Sequence, residues 1–432
     1  MPTQSIPAVP TADVRRPRAR SSPCGRRDRA PGRTRRLLAL GLLLGAFAAS
    51  PAAGVLISTG DGTGNTTPPA ADPGFAHVGS LNGLTGVYVR NGWVLTANHV
   101  GPGDITLLGA VWPAIPGSRV RFVNPDSTAA DLIAFKLRER PPLPDLALPS
   151  GAPSPDTLVT IVGNGFNRGA ATTWMGMDGW QWGSGRTIRW GTNRITQIDQ
   201  TTLDTHAFWF SFDDLRGPIQ GQHEADVVNG DSGGAVFTGS GASAELVGIL
   251  FARAGFEGQP ASTSLYGNAG VAADLAWYRD DILAVIDRPD CDDGLDDDGD
   301  GLVDYPNDPG CASPADTSER AAGLVCDNGL DDDGDGLIDY PADPGCLFSV
   351  DLNERGAAFE CDNGLDDDGD GLVDYPADDG CLHPTNAIEA PEPGFAAGLL
   401  AASLALAFAG RPGSNDRGRD RARQASSSSS TR

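Results

Sequence analysis

Three residues of this chain have types and neighbours that could do chemistry together. Ser232 lies in "VVNGDSGGAVF" (Val227 to Phe237), a knot of Gly, Asp and Ser between two apolar runs. His99 stands near the end of "GWVLTANHV", and Asp131 opens "DLIAFKL". A hydroxyl attacks a carbonyl when a base within hydrogen-bond reach takes its proton and a third group orients that base. Serine, histidine and aspartate can fill those three roles. Each also has a plainer reading. The knot at Ser232 suits a turn between strands, a histidine after a β-run is often structural, and an aspartate at a strand start is commonplace.

Such residues meet only if the intervening chain brings them together. Short β-type runs broken by Gly, Pro and Asn extend from the seventies to about Asp287. "GVYV" (Gly86 to Val89), a turn at Asn91-Gly92 and "WVLTA" (Trp93 to Ala97) predict a hairpin. Further strands are expected at Arg119 to Val123, Asp131 to Leu137, Thr157 to Gly163, His206 to Phe212, Gly234 to Gly239 and Ala244 to Ala252. Many short strands with turn signals point to an all-β barrel or sandwich. "DLAWYRDDILAVI" (Asp274 to Ile286) has helical spacing and is expected to close the domain.

Beyond this region the composition changes. The formal net charge is -25 over 432 residues, and 40% of the residues are hydrophobic. Residues 290–389 hold 26 Asp and 4 Glu against 2 Arg, a net of -28, so the rest of the chain is close to +3. A block of that sign repels phosphates and attracts cations, which excludes nucleic acid as its partner. Within it "CDDGLDDDGDGLVDYPNDPGC" begins at Cys291, and near-copies begin at Cys326 and Cys361, a period of 35. In the first copy Asp296, Asp298, Asp300 and Asp304 occupy positions 1, 3, 5 and 9 of a loop, with Gly301 at position 6. The second copy places Asp331, Asp333, Asp335 and Asp339 there, and the third Asp366, Asp368, Asp370 and Asp374. Hard carboxylate oxygens around a glycine turn are the front half of an EF-hand-type calcium loop, so Ca2+ is the expected ligand. Position 12, where an EF-hand has Glu, holds Asn307, Ala342 and Ala377, and an Asp follows one place later (Asp308, Asp343, Asp378). The plainer reading is a solvated acidic stalk.

Cys291, Cys311, Cys326, Cys346, Cys361 and Cys381 bracket the repeats, and Cys24 stands apart near the N-terminus. Six cysteines allow 15 pairings. The local choice joins Cys291–Cys311, Cys326–Cys346 and Cys361–Cys381, in an oxidising compartment. Units this small have little apolar core, so metal and disulfide would supply most of their stability, with little regular secondary structure.

Taken in chain order, His99, Asp131 and Ser232 carry a family resemblance. "LTANHV", "DLIAFKL" and "GDSGG" resemble the histidine, aspartate and serine motifs of chymotrypsin/trypsin-like serine proteases. "TLVTIVGNG" resembles the strand that opens their second barrel, and "LVGILFA" and "GNAGVAADLAWYRDDI" their pocket strands and closing helix. The likeness covers roughly Val55 to Asp287. It implies a double β-barrel with Ser232 as nucleophile, His99 as base and Asp131 as its orienter. It also implies an oxyanion hole from the N–H groups of Gly230 and Ser232, with Asp226 at the floor of the substrate pocket. An acidic floor favours Arg or Lys side chains, although Arg253 stands where a small rim residue is usual and could neutralise it. Asn98, Val100 and Ala235 depart from the family pattern, and this region has no cysteine. In many relatives a freed N-terminus pairs with the residue equivalent to Asp231, and cleavage near Ala53 would free "VLIS" at Val55 for that role.

The ends suggest export. An Arg-rich segment precedes the apolar run "LLALGLLLGAFAA" (Leu37 to Ala49), of signal-peptide length. "PEPGFAAGLLAASLALAFAGRP" resembles the PEP-CTERM sorting signals of Gram-negative bacteria, with an ordinary membrane anchor as the alternative. The expected organisation is a signal peptide over 1–53, a protease domain over 54–287, calcium repeats over 288–388, a sorting signal over 389–411 and a disordered tail over 412–432. The expected protein is a secreted or cell-surface serine endopeptidase that acts on proteins or peptides. It would meet export and sorting machinery and touch membrane transiently at both termini. Two readings compete with this: a non-catalytic, calcium-dependent surface adhesion protein on a degenerate protease fold, and a protease that serves only to process its own chain.

Overall fold

A computed structural model describes residues 3–6, 55–214 and 223–391. The hydrophobic core of the expected signal peptide and all of the chain from 392 onward, with the apolar part of the sorting signal and the tail, lie outside the described residues. The chain divides into two compact units, Met1–Glu319 and Arg320–Arg432. The first contains the β-domain and the whole first repeat, so the division falls later than the change in composition at Cys291.

Two sheets of seven strands build the β-domain of the first unit. One orders Ala110–Trp112, Ile105–Leu107, Val78–Leu81, Leu84–Arg90, Trp93–Thr96, Ala129–Lys136 and Val120–Val123, and the bridge Ala114↔Leu137 helps to close it. The other contains Glu245–Phe256, Ala235–Thr238, Leu158–Gly163, Arg189–Thr202, Thr205–Ser211 and Ala269–Asp274. Its last strand pairs back onto Glu245–Phe256 and closes a barrel. The short strand Thr3–Ile6 runs parallel to Arg253–Phe256 at its edge. The architecture is all-β, a double barrel followed by a closing helix.

The local reasons are visible in the residues. Asn91 and Gly92 both have positive φ (50° and 79°), the backbone of a two-residue hairpin whose twist matches its strands. Leu132, Ile133, Ala134 and Phe135 are all fully buried, which explains a continuous apolar run instead of alternation. The closing helix spans only Arg279–Ile286, shorter than its spacing predicts, because Asp274 still belongs to the last strand. The Asp274 carboxylate then accepts the Ala276 N–H at 3.0 Å and turns the chain. Ile282 and Ile286 seat the helix in the core, and the Tyr278 hydroxyl accepts the His206 N–H at 2.8 Å.

The strand that carries Asp131 ends at Lys136, which is buried (2% exposed). Its ammonium donates to Asp290 (2.9 Å), Asp293 (2.6 Å) and Asp297 (2.5 Å), the last two inside the first repeat. Burial works against the Lys136 charge, but the carboxylates of Asp297 and Asp290 outweigh it and raise its pKa above the ordinary lysine value. This ion cluster ties the first repeat to the β-domain.

In the second unit the described residues are almost entirely turns and bends, apart from the single 3-10 turn Val325–Asp327. Cys326–Cys346 and Cys361–Cys381 close its two repeats, as Cys291–Cys311 closes the first. All three pairings are the local ones.

Candidate active site and cation loops

Antiparallel pairing sets Thr96 opposite Ile133. Two residues further on, that register brings Asp131 beside the turn that holds His99. The Asp131 carboxylate accepts the His99 backbone N–H at 2.9 Å through Oδ1 and faces His99 Nδ1 at 2.7 Å through Oδ2. His99 Nε2 lies 2.8 Å from Ser232 Oγ. With the imidazole proton on Nδ1, Nε2 accepts from the serine hydroxyl. The Asp131 N–H donates to Thr205 Oγ1 at 2.7 Å, which fixes the start of its strand against the second barrel. Asn98, a departure from the family pattern, accepts a hydrogen bond from Arg119.

Ser232 sits in the turn before Ala235–Thr238, and one residue of the first barrel grips that turn. Thr85 N–H donates to the Ser232 carbonyl at 3.0 Å, and Thr85 Oγ1 donates to the Gly230 carbonyl at 2.8 Å. The same hydroxyl accepts the Asn164 N–H at 3.1 Å, while Thr96 Oγ1 donates to the Thr85 carbonyl at 2.8 Å. Both carbonyls of the turn are thus engaged, and among the described residues neither the Gly230 nor the Ser232 N–H has a protein acceptor. Two N–H groups held in this way are suited to a developing oxyanion. Gly230 has φ 106°, and a Cβ there would stand 2.6 Å from the Asn164 carbonyl oxygen, so only glycine fits. Neither Thr85 nor Thr205 carries a sequence signal of its own.

Asp231 is fully buried beside the nucleophile. Its carboxylate accepts Gly165 N–H at 2.7 Å and Val228 N–H at 2.8 Å. A Cβ at Gly165 would come within 2.6 Å of those oxygens, which explains a glycine at this point of "TIVGNG". Burial pushes the Asp231 carboxyl up to about 7 despite the two amides. Val55 packs in the second-barrel core with Val159 and Ile161, and the carboxylate that "VLIS" was expected to pair with takes backbone amides.

Asp226, expected at the floor of an open acidic pocket, is 1% exposed and faces Arg253 Nη2 at 3.4 Å. The same Nη2 donates to Asn268 Oδ1 (2.9 Å) and the Thr263 carbonyl (3.2 Å). The guanidinium lies 5.1 Å from the Trp182 ring centroid. Burial raises the Asp226 pKa, with Arg253 opposing the shift. Arg253 covers the acid and offsets its charge, so Asp226 does not present a free carboxylate.

In the first repeat the carboxylates of Asp296, Asp298 and Asp300 converge, with oxygens within 4.8 Å of one another. Asp296 accepts Gly299 N–H at 2.7 Å and Gly301 N–H at 3.2 Å, which curls the loop around them. Asp304 points elsewhere. Its oxygens accept the N–H groups of Asp293 (3.2 Å) and Gly294 (3.0 Å). Asp339 and Asp374 do the same for Asn328 and Gly329, and for Asn363 and Gly364. Of the four positions expected to ligate, the first three stay together in the first repeat, and the fourth is a backbone staple in all three. Glu319, which sequence reasoning passed over, clasps the loop by accepting Asp297 N–H (2.6 Å) and Asp304 N–H (2.9 Å). Glu354 and Glu389 repeat the clasp, and their spacing of 35 was the available signal.

Residues 64–275 match the Trypsin family model. Among solved structures the chain is similar to neuropsin, a serine protease expressed in the limbic system of mouse brain, at 16% identity and a TM-score of 0.36, over 51% of this chain and 97% of that one. It is also similar to kallikrein-related peptidase 10, at 19% identity and a TM-score of 0.33, over 51% and 99%. No curated protein matches. The matched stretch, 64–275, holds His99, Asp131 and Ser232 and has the trypsin-like β-barrel fold.

Proposed function

We propose that the chain is a serine endopeptidase that hydrolyses peptide bonds through Ser232, His99 and Asp131. The observation that carries this reading is the unbroken relay from Asp131 Oδ2 to His99 Nδ1 (2.7 Å) and from His99 Nε2 to Ser232 Oγ (2.8 Å). Ser232 Oγ attacks the scissile carbonyl carbon while its proton passes to His99 Nε2. Asp131 holds the imidazole in the required tautomer and stabilises the imidazolium. The N–H groups of Gly230 and Ser232 bind the oxyanion. When the C–N bond breaks, Nε2 returns the proton to the leaving amine. Water, deprotonated by the same nitrogen, then releases the acyl group and restores the serine.

The repeats are proposed to bind Ca2+. The residues fit a hard cation because buried carboxylate oxygens at Asp300, Asp335 and Asp368 have no hydrogen-bond partner. Calcium has no part in the catalytic steps. The N-terminal apolar run would export the protein and the C-terminal segment would sort it, so that it works in the medium or at the surface of a Gram-negative cell. Because Arg253 covers Asp226, the substrate is not selected for a basic side chain.

A fluorophosphonate probe tests the activity on the purified chain, with calcium and with chelator, beside Ser232→Ala. Labelling of the native chain and not of the variant is the expected result. Absence of label in both conditions, with the fold intact by circular dichroism, would overturn the enzymatic reading in favour of a surface-binding protein.

A further inference from the structure

We infer that Asp308, Asp343 and Asp378 complete the cation sites of the three repeats, and that Asp304, Asp339 and Asp374 are not ligands. The inference rests on the proposal that the repeats bind Ca2+. An EF-hand-type loop needs a late carboxylate to close the coordination sphere, and position 12 holds Asn307, Ala342 and Ala377. The carboxylate one place later fills that need. Asp308 is 2% exposed, and Asp343 and Asp378 are each 1% exposed. In each, Oδ1 accepts an N–H two residues on: Gly310 at 2.7 Å, Gly345 at 2.6 Å, Gly380 at 2.5 Å. In each, Oδ2 is buried with no hydrogen-bond partner. A buried carboxylate oxygen left unpaired is costly unless a cation or proton meets it. That cost recurs at the same atom of three repeats, in company with unpaired Oδ2 atoms of Asp300 and Asp335 at position 5.

Carboxylate oxygens of Asp308, Asp343 and Asp378 lie within 4.8 Å of those of Glu319, Glu354 and Glu389, the residues that clasp each loop. The negative charges of Asp298, Asp300 and Asp296 all bear on Asp308, and those of Asp335 and Asp333 on Asp343. The oxygens of Asp304 are taken by Asp293 and Gly294 N–H groups. Those of Asp339 and Asp374 also meet the guanidinium groups of Arg320 and Arg355, at 3.1 and 2.6 Å. A carboxylate paired with arginine and two amides is a poor ligand. Both oxygens of Glu319 accept amides, whereas Asp308 keeps one buried oxygen without a hydrogen-bond partner for the ion.

Calorimetric titration of the full chain with Ca2+ tests the assignment. The native chain should bind three ions. Asp308→Asn should bind two, and the triple variant Asp308→Asn/Asp343→Asn/Asp378→Asn none. Asp304→Asn, which keeps an acceptor for the staple, should still bind three. Asn preserves the shape of Asp308 and its acceptor for Gly310, and thiol titration checks that Cys291–Cys311 has closed. Asp343→Asn and Asp378→Asn repeat the measurement independently. Three ions bound by Asp308→Asn and two by Asp304→Asn would overturn the assignment and leave the calcium reading standing. No ion bound by the native chain would overturn the calcium reading itself.

Discussion

Thr85→Val isolates a single hydroxyl that no motif marks. Valine has nearly the same shape, so the perturbation is the loss of two hydrogen bonds, to the Gly230 carbonyl (2.8 Å) and from Asn164 N–H (3.1 Å). Thr85 is fully buried, so water does not replace them. Orphaning a buried donor or acceptor costs roughly 1–3 kcal/mol each, so the two groups set an expected loss of stability of roughly 2–6 kcal/mol. The effect on rate is separate. The Gly230 carbonyl belongs to the peptide that follows Gly230, and its release lets the oxyanion turn tilt. Complete loss of one oxyanion donor costs about 10²–10³ in turnover. A partial tilt should cost about ten- to a hundredfold, or about 1.4–2.7 kcal/mol at ~1.36 kcal/mol per decade. The assay is the second-order rate of fluorophosphonate labelling, beside thermal unfolding of the same samples. Thr85→Ser keeps the hydroxyl and should restore the labelling rate to near native. If Thr85→Val labels at the native rate while unfolding earlier, the hydroxyl only stabilises and the positioning argument fails.

Three further outcomes follow from the geometry. Lys136→Met should lower stability by about 3–5 kcal/mol, because it leaves Asp293 and Asp297 buried without a cation, with Arg140 still on Asp290; a native-like melting temperature would show that the cluster does not hold the first repeat. Arg253→Gly uncovers Asp226 and should create cleavage after Arg or Lys that the native chain lacks; profiling with a peptide library reads this, and an unchanged profile would separate Asp226 from substrate binding. Burial pushes the Glu224 carboxyl up to about 8 from 4.5, so between those values the folded state holds a proton that the unfolded chain has released. Its contribution to stability is therefore full below about 4.5 and is lost as pH rises to about 8, a fall of up to roughly 5 kcal/mol at 1.36 kcal/mol per unit. Glu224→Gln keeps the acceptor for the Asp213 N–H and should flatten the melting-temperature profile across that range; an equally steep profile in the variant would refute the assignment.

Much of the β-domain was legible. The apolar runs at 86–89, 93–97, 131–137, 157–163 and 206–212 all fall on strands, with ends shifted by a residue or two. The strands Phe166–Trp174, Met177–Arg186 and Arg189–Thr202 were not legible. Their sequence is rich in Gly, Thr and isolated Trp without clean alternation, because much of it is only partly buried. Cross-strand pairing holds these strands in place of a buried face. The helix start was misplaced for a comparable reason, since strand pairing with Gly248 overrides helical spacing at Asp274.

The sequence by itself determined the features that short range controls. The residue types and chain order of Ser232, His99 and Asp131, the period of 35, and the cysteines that close loops 20 residues apart all stand in local patterns. Tertiary structure decided the pairings between distant residues, which no local spacing encodes. Thr85 reaches Gly230 across 145 positions, Arg253 covers Asp226 across 27, and Lys136 ties the first repeat to the barrel from 157 positions away. Even inside a repeat, spacing alone favoured Asp304 over Asp308. Where a carboxylate points depends on which backbone amides the fold offers it, and those amides are placed only when the loop has closed.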